Sequence, residues 1–265
     1  MYYVAVIAAR NEPNLQPLID SVNKQSIKPS GIVVVNDGDD PITLDNCVII
    51  DSNQPRSKTR GINQSTALMM GVEKATELIP GWDYLLKLDA DVEIPLNYVE
   101  EMILFLEQNY WCGISSGWNN NMGKSQQMHR PSDAAKVFTR ECWNTIEGYT
   151  ITNAFDTHAT LNARFNGWQP EINRMITFRE TRSNVKVTYR RWVESGRTRA
   201  RWGFPVWHTF LAALKNLTNG KPIIVGPLAM VASHIFTGVD EPLFPRDWCR
   251  KYAVWETRNI LGGKR

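Results

Sequence analysis

Apolar residues run almost without interruption through Tyr3–Ala9, Ile32–Val35 and Tyr84–Leu88. Each run stops at polar or acidic residues: Arg10-Asn11-Glu12, Asn36-Asp37-Gly38-Asp39-Asp40 and Asp89-Ala90-Asp91. Runs without alternation suit strands of a parallel sheet covered on both faces. Between them the period changes. Leu15, Leu18, Ile19 and Val22 recur at helical spacing after Pro13, and that helix ends before Lys28-Pro29-Ser30-Gly31. Cys47–Ile50 predicts a short strand, and residues 51–58 a polar loop with Pro55, Arg56 and Lys58. A helix is expected over Thr59–Leu78, stopped by Pro80-Gly81, and another over Pro95–Gln108. Then come a strand Trp111–Ser116, a loop 117–133 rich in Asn, Gly, Ser and Gln, a strand Ala134–Phe138 and a helix from Arg140. Phe155–Asn166 predicts a helix, Ile172–Phe178 a strand and Pro205–Leu217 a helix. This βαβ rhythm predicts an α/β fold with a mostly parallel sheet, right-handed crossovers and flanking helices.

Ligands of open α/β sheets bind beyond the carboxyl ends of the strands. Glu12, Asp37, Asp89 and Asp91 stand at three such ends and describe one crevice. Hard divalent cations often share one or two protein carboxylates with substrate phosphates. Asp89 and Asp91, spaced i and i+2 where a strand breaks into a turn, suit Mg²⁺ or Mn²⁺ beside a diphosphate; a solvated acidic turn is the plain alternative. Lys58 and Arg60 open the next predicted helix, where basic residues oppose the helix dipole. That misfit is explained if they face an anion, since backbone N–H groups there also attract phosphate. A solvated loop is again the alternative.

In order and separation, Ala9-Arg10-Asn11-Glu12, Asn36-Asp37-Gly38 and Asp89-Ala90-Asp91 resemble the motifs of family-2 glycosyltransferases with the GT-A fold. A fourth block resembles that family's acceptor side: Ala135 to Trp143, Gly148-Tyr149, Phe155-Asp156-Thr157-His158, Leu161, Arg164 and Gly167-Trp168. The resemblance spans about residues 3–170. It implies a Rossmann-like domain that binds a nucleoside-diphosphate sugar and transfers its sugar, with inversion, to a hydroxyl acceptor: a glycan, a lipid-linked molecule or a small molecule. It implies donor contacts from Ala9, Arg10, Glu12, Asn36, Asp37, Lys58, Arg60 and Asp89. Asp89 and Asp91 carry the metal, Asp91 foremost. The family's usual Asp-Asp-Gly reads Asn36-Asp37-Gly38 here. A carboxylate or an amide oxygen can accept the imide hydrogen of uracil, but Asn can also donate, so UDP- and GDP-sugars both stay open. Asp156 matches the second acid of the family's usual pair and is the expected catalytic base, with Glu147 and Asp133 behind it; a helix cap is its structural alternative.

Charge is uneven. Residues 1–156 hold 12 Lys/Arg against 20 Asp/Glu, and residues 157–265 hold 18 against 7. An acidic half suited to a metal precedes a basic half suited to anions. Arg190-Arg191-Trp192, Arg197, Arg199 and Arg201-Trp202 interleave arginine with tryptophan. That stretch suits a diphosphate, anionic lipid headgroups or nucleic acid, or is a solvated helix; nucleic acid is the least expected partner. Late histidines, His208 and His234, are expected in a core or on the surface, and Trp118 in the loop beside the crevice. Four scattered cysteines form no zinc pattern. The first strand starts almost at Met1, and the longest apolar stretch, Ile223–Phe236, is too short to span a bilayer. A cytoplasmic protein with reduced thiols, peripheral to the membrane at most, is expected. The expected organisation is a transferase domain over 1–220, with a nucleotide-sugar-binding half 1–117 and an acceptor-side half 118–220, and a helical, basic C-terminal extension over 221–265. Two other classes compete: a non-catalytic docking protein on the same scaffold, and a nucleotidyltransferase, which would usually show a Gly-rich loop after the first strand.

Overall fold

The computed structural model describes residues 1–59, 61–122, 126–182, 188–217 and 222–261. They form two compact units, Met1–Ser183 and Asn184–Arg265. Helices from the stretch 184–220 therefore stand in the second unit.

In the first unit the apolar runs are strands, as the sequence predicts: β1 (Tyr3–Ala9), β2 (Gly31–Asn36) and β4 (Tyr84–Asp89). β3 (Val48–Asp51), β5 (Val92–Glu93), β6 (Ile114–Asn119), β7 (Ala135–Thr139) and β8 (Glu171–Glu180) complete an eight-stranded sheet ordered β3-β2-β1-β4-β7-β6-β8-β5. β1 pairs in parallel with β2 and β4, so their carboxyl ends lie side by side. The sheet is mostly parallel, as expected, with two exceptions: β5 pairs antiparallel with β8, and β7 is the reversed strand inside the sheet. β7 runs antiparallel to both β4 and β6. It follows β6 through a loop with no crossover helix, and only a crossover lets the chain return parallel.

Alternation along the strands sends side chains to two layers. Ala5, Ile7, Ile32, Val34, Leu86 and Leu88 face α1 (Gln16–Asn23) and α3 (Tyr98–Gln108). Val4, Val6, Val33, Val35 and Leu85 face α2 (Ile62–Leu78), α4 (Arg140–Thr145) and α5 (Phe155–Phe165). Strand β6 begins three residues later than expected. Trp118 therefore lies in the strand, under the Arg174 guanidinium at 5.4 Å, and not in the loop. Trp82 and Trp143 are core residues, whereas Trp111 is exposed and stacks edge-on with Tyr110.

The second unit is helical: α6 (Tyr189–Arg201), α7 (Val206–Lys215), α8 (Val225–Ile235) and α9 (Arg246–Leu261). Trp192 and Trp202 are buried in it, as are His208 and His234. Arg199 is structural: it meets His208 Nδ1 at 3.2 Å and covers the Phe204 ring. No helix among the described residues is long and apolar enough to cross a membrane.

The seat of α2 on the sheet depends on Gly71. A Cβ there would stand 2.5 Å from Val6 Cγ1 and 2.8 Å from Val35 Cγ2, both fully buried. Gly71→Ala gains about 1 kcal/mol of helix propensity. Overpacking costs about 1–3 kcal/mol, and here neither neighbour can move aside. The expected net result is a loss of about 1–2 kcal/mol in urea unfolding. A more stable variant would mean that α2 does not press on β1 and β2.

Candidate active site

The site is built where β1, β2 and β4 end together, on the α2 and α5 side of the sheet. A cleft of about 300 Å³ is lined there by Ala9, Arg10, Asp37, Gly61, Asn63 and Gln64, among others. Three of these were expected donor contacts. The rest come from the start of α2, which begins at Ile62 and not at Thr59. Gly61 caps it at φ +90°, a conformation that disfavours any side chain. No side chain caps this helix end and no acid occupies its first turn. Its backbone donors and positive dipole end therefore face the cleft. Lys58 precedes the helix, exposed in the loop, so the dipole argument made for it does not hold. Arg60 lies outside the described residues.

The second strand end divides its work. Asn36 is consumed by its own turn: Nδ2 donates to Asp40 O and Asp51 Oδ1, and Oδ1 accepts from Gly38 N–H. Asp37 faces the cleft and is held from behind. Ser52 Oγ and Gln54 Nε2 donate to its Oδ1 at 2.7 and 3.0 Å, and Arg56 pairs with Oδ2 at 2.9 Å. Glu12 is ion-paired with Arg182 from beyond β8.

At the third end lies a charge network that the sequence reading did not assemble. Lys87 and Lys136 are directly opposite on β4 and β7, and each side chain is only 1% exposed. Lys87 Nζ donates to Asp89 Oδ1 at 2.6 Å, to Asp133 Oδ2 at 2.8 Å and to Asp133 O at 2.7 Å. All three ammonium hydrogens are thereby used. Lys136 Nζ lies 3.3 Å from Asp133 Oδ1 and 3.5 Å from the Asp156 carbonyl oxygen. Tyr149 OH donates to Asp133 Oδ1 at 3.4 Å. One signal for this was available: Lys87 sits two residues before Asp89 on a strand, hence on its face.

The electrostatics follow from burial and crowding. Burial pushes the Asp89 carboxyl up to about 6; Lys87 opposes the rise, while Asp133 and Asp91 add to it. Burial also raises Asp156, with Asp133 adding to it and Lys136 opposing. Asp133 goes the other way. Burial raises it, but Lys87 and Lys136 outweigh burial and hold it below the usual carboxylate range. Asp133 is thus a structural counterion. Asp91 is half-buried, and its carboxylate makes no hydrogen bond among the described residues. Its position is fixed through the backbone, where Asp91 O accepts from Thr181 N–H at 2.7 Å and from Thr181 Oγ1 at 3.1 Å.

Asp156 is in the first turn of α5 and not at its cap. The cap position is Ala154, in the left-handed region, with no side-chain capping bond. Asp156 is thus not the N-cap residue, although its carboxylate accepts from the Thr157 backbone N–H in the same turn. Glu147 stands exposed in the left-handed turn after α4, apart from the network. His208 pairs with Glu256 at 2.9 Å, and His234 bonds Thr209 at 2.7 Å; neither is placed as a metal ligand. Among the described residues no group of three or more His, Cys, Asp or Glu side chains converges as a metal cage.

A family model described as Glycosyl transferase family 2 matches residues 4–167. Among solved structures, S. aureus TarS 1-349 in complex with UDP is similar with a TM-score of 0.54 at 15% identity, over 89% of this chain and 71% of that one. The mannosyltransferase PcManGT from Pyrobaculum calidifontis, in complex with GDP-Man and Mn²⁺, is similar with a TM-score of 0.52 at 14% identity, over 98% and 75%. S. aureus TarS 1-349 in complex with UDP-GlcNAc gives 0.53 at 14%, over 89% and 72%. At these identities the likeness shows the fold, a GT-A-like sheet flanked by helices. No curated protein sequence matches the chain.

Removing the Lys87 charge leaves Asp89 and Asp133 facing each other without their shared cation. Lys87→Met is expected to lower unfolding free energy by about 3–5 kcal/mol, and Asp133→Asn in that background to restore part of the loss. Equilibrium denaturation of the two variants and the parent measures both. A loss below about 1 kcal/mol would show that the network is already solvated.

Proposed function

The chain belongs to glycosyl transferase family 2, and from that premise we propose a metal-dependent, inverting transfer from a nucleoside-diphosphate sugar to a hydroxyl acceptor. The observation that carries this proposal is the meeting of Asp37, the open N-terminus of α2 and the Asp89–Asp91 turn at adjacent strand ends. These are a hydrogen-bond acceptor for a base, an anion site for a diphosphate and two carboxylates for a cation.

Asp37 is the residue assigned to the base, with Arg56, Ser52 and Gln54 orienting its carboxylate. Asn36 is withdrawn from that role, because its amide is already spent on the turn. UDP- and GDP-sugars both remain candidate donors; the solved relatives include complexes of each. Ala9 and Arg10 line the donor cleft.

The residues present fit a divalent cation. Four carboxylates, Asp89, Asp91, Asp133 and Asp156, face only two lysines, and two of the four are held above their usual range by burial and mutual repulsion. Asp91 would be the principal ligand and Asp89 the second, with Asp89 Oδ1 still tied to Lys87. Two protein carboxylates and no cage suit Mg²⁺ or Mn²⁺ completed by substrate phosphates. When bound, the ion supplies charge neutralisation for the departing diphosphate.

Asp156 is the proposed base. Its raised affinity for a proton suits it to take one from the acceptor hydroxyl as that oxygen attacks the sugar. Lys136, bonded to the Asp156 backbone, and Asp133 set its field. Asn keeps an oxygen able to accept from the Thr157 N–H, so Asp156→Asn leaves the fold intact and removes only the proton acceptor. The expected result is a parent-like melting temperature, retained donor binding and transfer reduced by at least about a hundredfold. Acceptor-dependent release of nucleoside diphosphate is the measurement. Parent-like turnover would remove Asp156 from the mechanism.

A further inference from the structure

Two helices of the second unit are packed inside out. α7 buries His208, Thr209 and Ala213 while exposing Trp207, Phe210, Leu211 and Leu214. Phe210 and Leu214 are 54% and 53% exposed, and Thr209 is 0%. The exposed four recur at spacings of three and four, which is one stripe of a helix. α8 repeats the pattern, burying Gly226, Pro227, Met230 and His234 and exposing Val225, Leu228 and Ile235.

The inward choice has a packing cause. A Cβ at Gly226 would stand 2.4 Å from Trp192 Nε1, and one at Gly196 of α6 would stand 2.0 Å from Met230 O. Glycine on each of α6 and α8 thus lets the two helices meet closely, with Trp192 and Met230 filling the seam. The buried polar groups are also matched: Thr209 with His234, and His208 with Glu256. The outward apolar residues are therefore not a misplaced core. Ile224 N–H donates to Leu217 O at one end of the α7–α8 hairpin, and Val206 and Ile235 line a shared cavity of about 380 Å³ at the other. The two stripes thus run alongside one another. Exposed apolar surface that continuous marks a contact face.

Charge identifies what it contacts. Arg246 and Arg250 of α9 line the same cavity as Val206 and Ile235. Residues 184–265 hold 14 Lys/Arg against 5 Asp/Glu. A second copy seated face to face on the same helices would set one strongly positive unit against another, whereas an anionic lipid surface turns the same charge into attraction. We propose that the α7–α8 face docks on an anionic bilayer surface, its apolar stripe at the acyl boundary and its arginines on headgroup phosphates. With no described helix able to span a bilayer, the contact lies along the surface. The proposal does not depend on the transferase chemistry.

Flotation of the purified full chain with phosphatidylcholine vesicles, with and without phosphatidylglycerol, tests it. The parent is expected to float with the anionic vesicles, much less with the neutral ones, and less as salt rises. Phe210→Glu/Leu214→Glu should lower partition by at least about tenfold at an unchanged melting temperature. Should that pair disturb the fold, Phe210→Ser/Leu214→Ser gives the same comparison without added charge. Parent that stays unbound to anionic vesicles at low salt overturns the proposal. Equal flotation of folded parent and variant also overturns it, as does a sedimentation dimer that the variant dissociates while vesicle binding is unchanged.

Discussion

The Lys87 ammonium is buried and gives one hydrogen to Asp89 and two to Asp133. A buried lysine can stay charged only where carboxylates compensate its lost hydration, and here they raise its affinity for the proton above the ordinary value despite burial. The same three bonds tie the end of β4 to the start of β7. Asp89 N–H also donates to the neighbouring Ala134 O, so backbone and side chain hold one junction. Lys136 enters opposite Lys87 because β7 runs antiparallel to β4 in that register. The mixed character of the sheet is therefore a condition of the site: a parallel neighbour would not return Asp133 to the end of β4.

From that junction the carboxylates acquire different tasks. Asp133 lies between two ammonium groups and is held ionised. Asp89 is shared between Lys87 and the cleft, with Gln64 of α2 reaching its Oδ1 at 3.3 Å. Asp91 is positioned through its backbone, and its carboxylate is the one proposed above to meet a cation. Asp156 enters from the first turn of α5 with a raised proton affinity and is not its N-cap residue. Four acids of similar sequence character are separated by which of them a lysine satisfies.

Seven of the eight strands, the helices of the first unit, α7 and the neighbouring strand ends that carry Asp37, Asp89 and Asp91 were legible from the apolar runs and the residues that stop them. So was the mostly parallel sheet, from the βαβ rhythm, but not which strand is reversed. Periodicity reports which faces are buried and carries no sign of parallel or antiparallel pairing, so nothing marked β7 as the antiparallel one. β5 spans only Val92–Glu93, too short to show alternation, and α9 mixes charged with apolar positions too evenly to stand out. Asn36 and Asp37 look interchangeable as acceptors until the turn consumes the amide of one and leaves the other facing the cleft. Lys87 was in view within the key segment, but its partner Asp133 is 46 residues away and meets it only through β4–β7 pairing. The apolar face of α7 was hidden for a different reason. A helical stripe predicts a buried face, and only the pairing of Thr209 with His234 and of His208 with Glu256 shows that polar residues took the inside of α7.

The central claim is that the strand ends bind a nucleoside diphosphate through a cation held by Asp91. Calorimetric titration of UDP and GDP into the parent and into Asp91→Ala, each with Mn²⁺ and with chelator, tests it most directly. The account predicts that one nucleotide binds the parent with Mn²⁺, that chelator weakens it by at least about tenfold, and that Asp91→Ala binds weakly with or without the ion. Equal affinity in all four conditions, or no binding of either nucleotide to the parent with Mn²⁺, would contradict it.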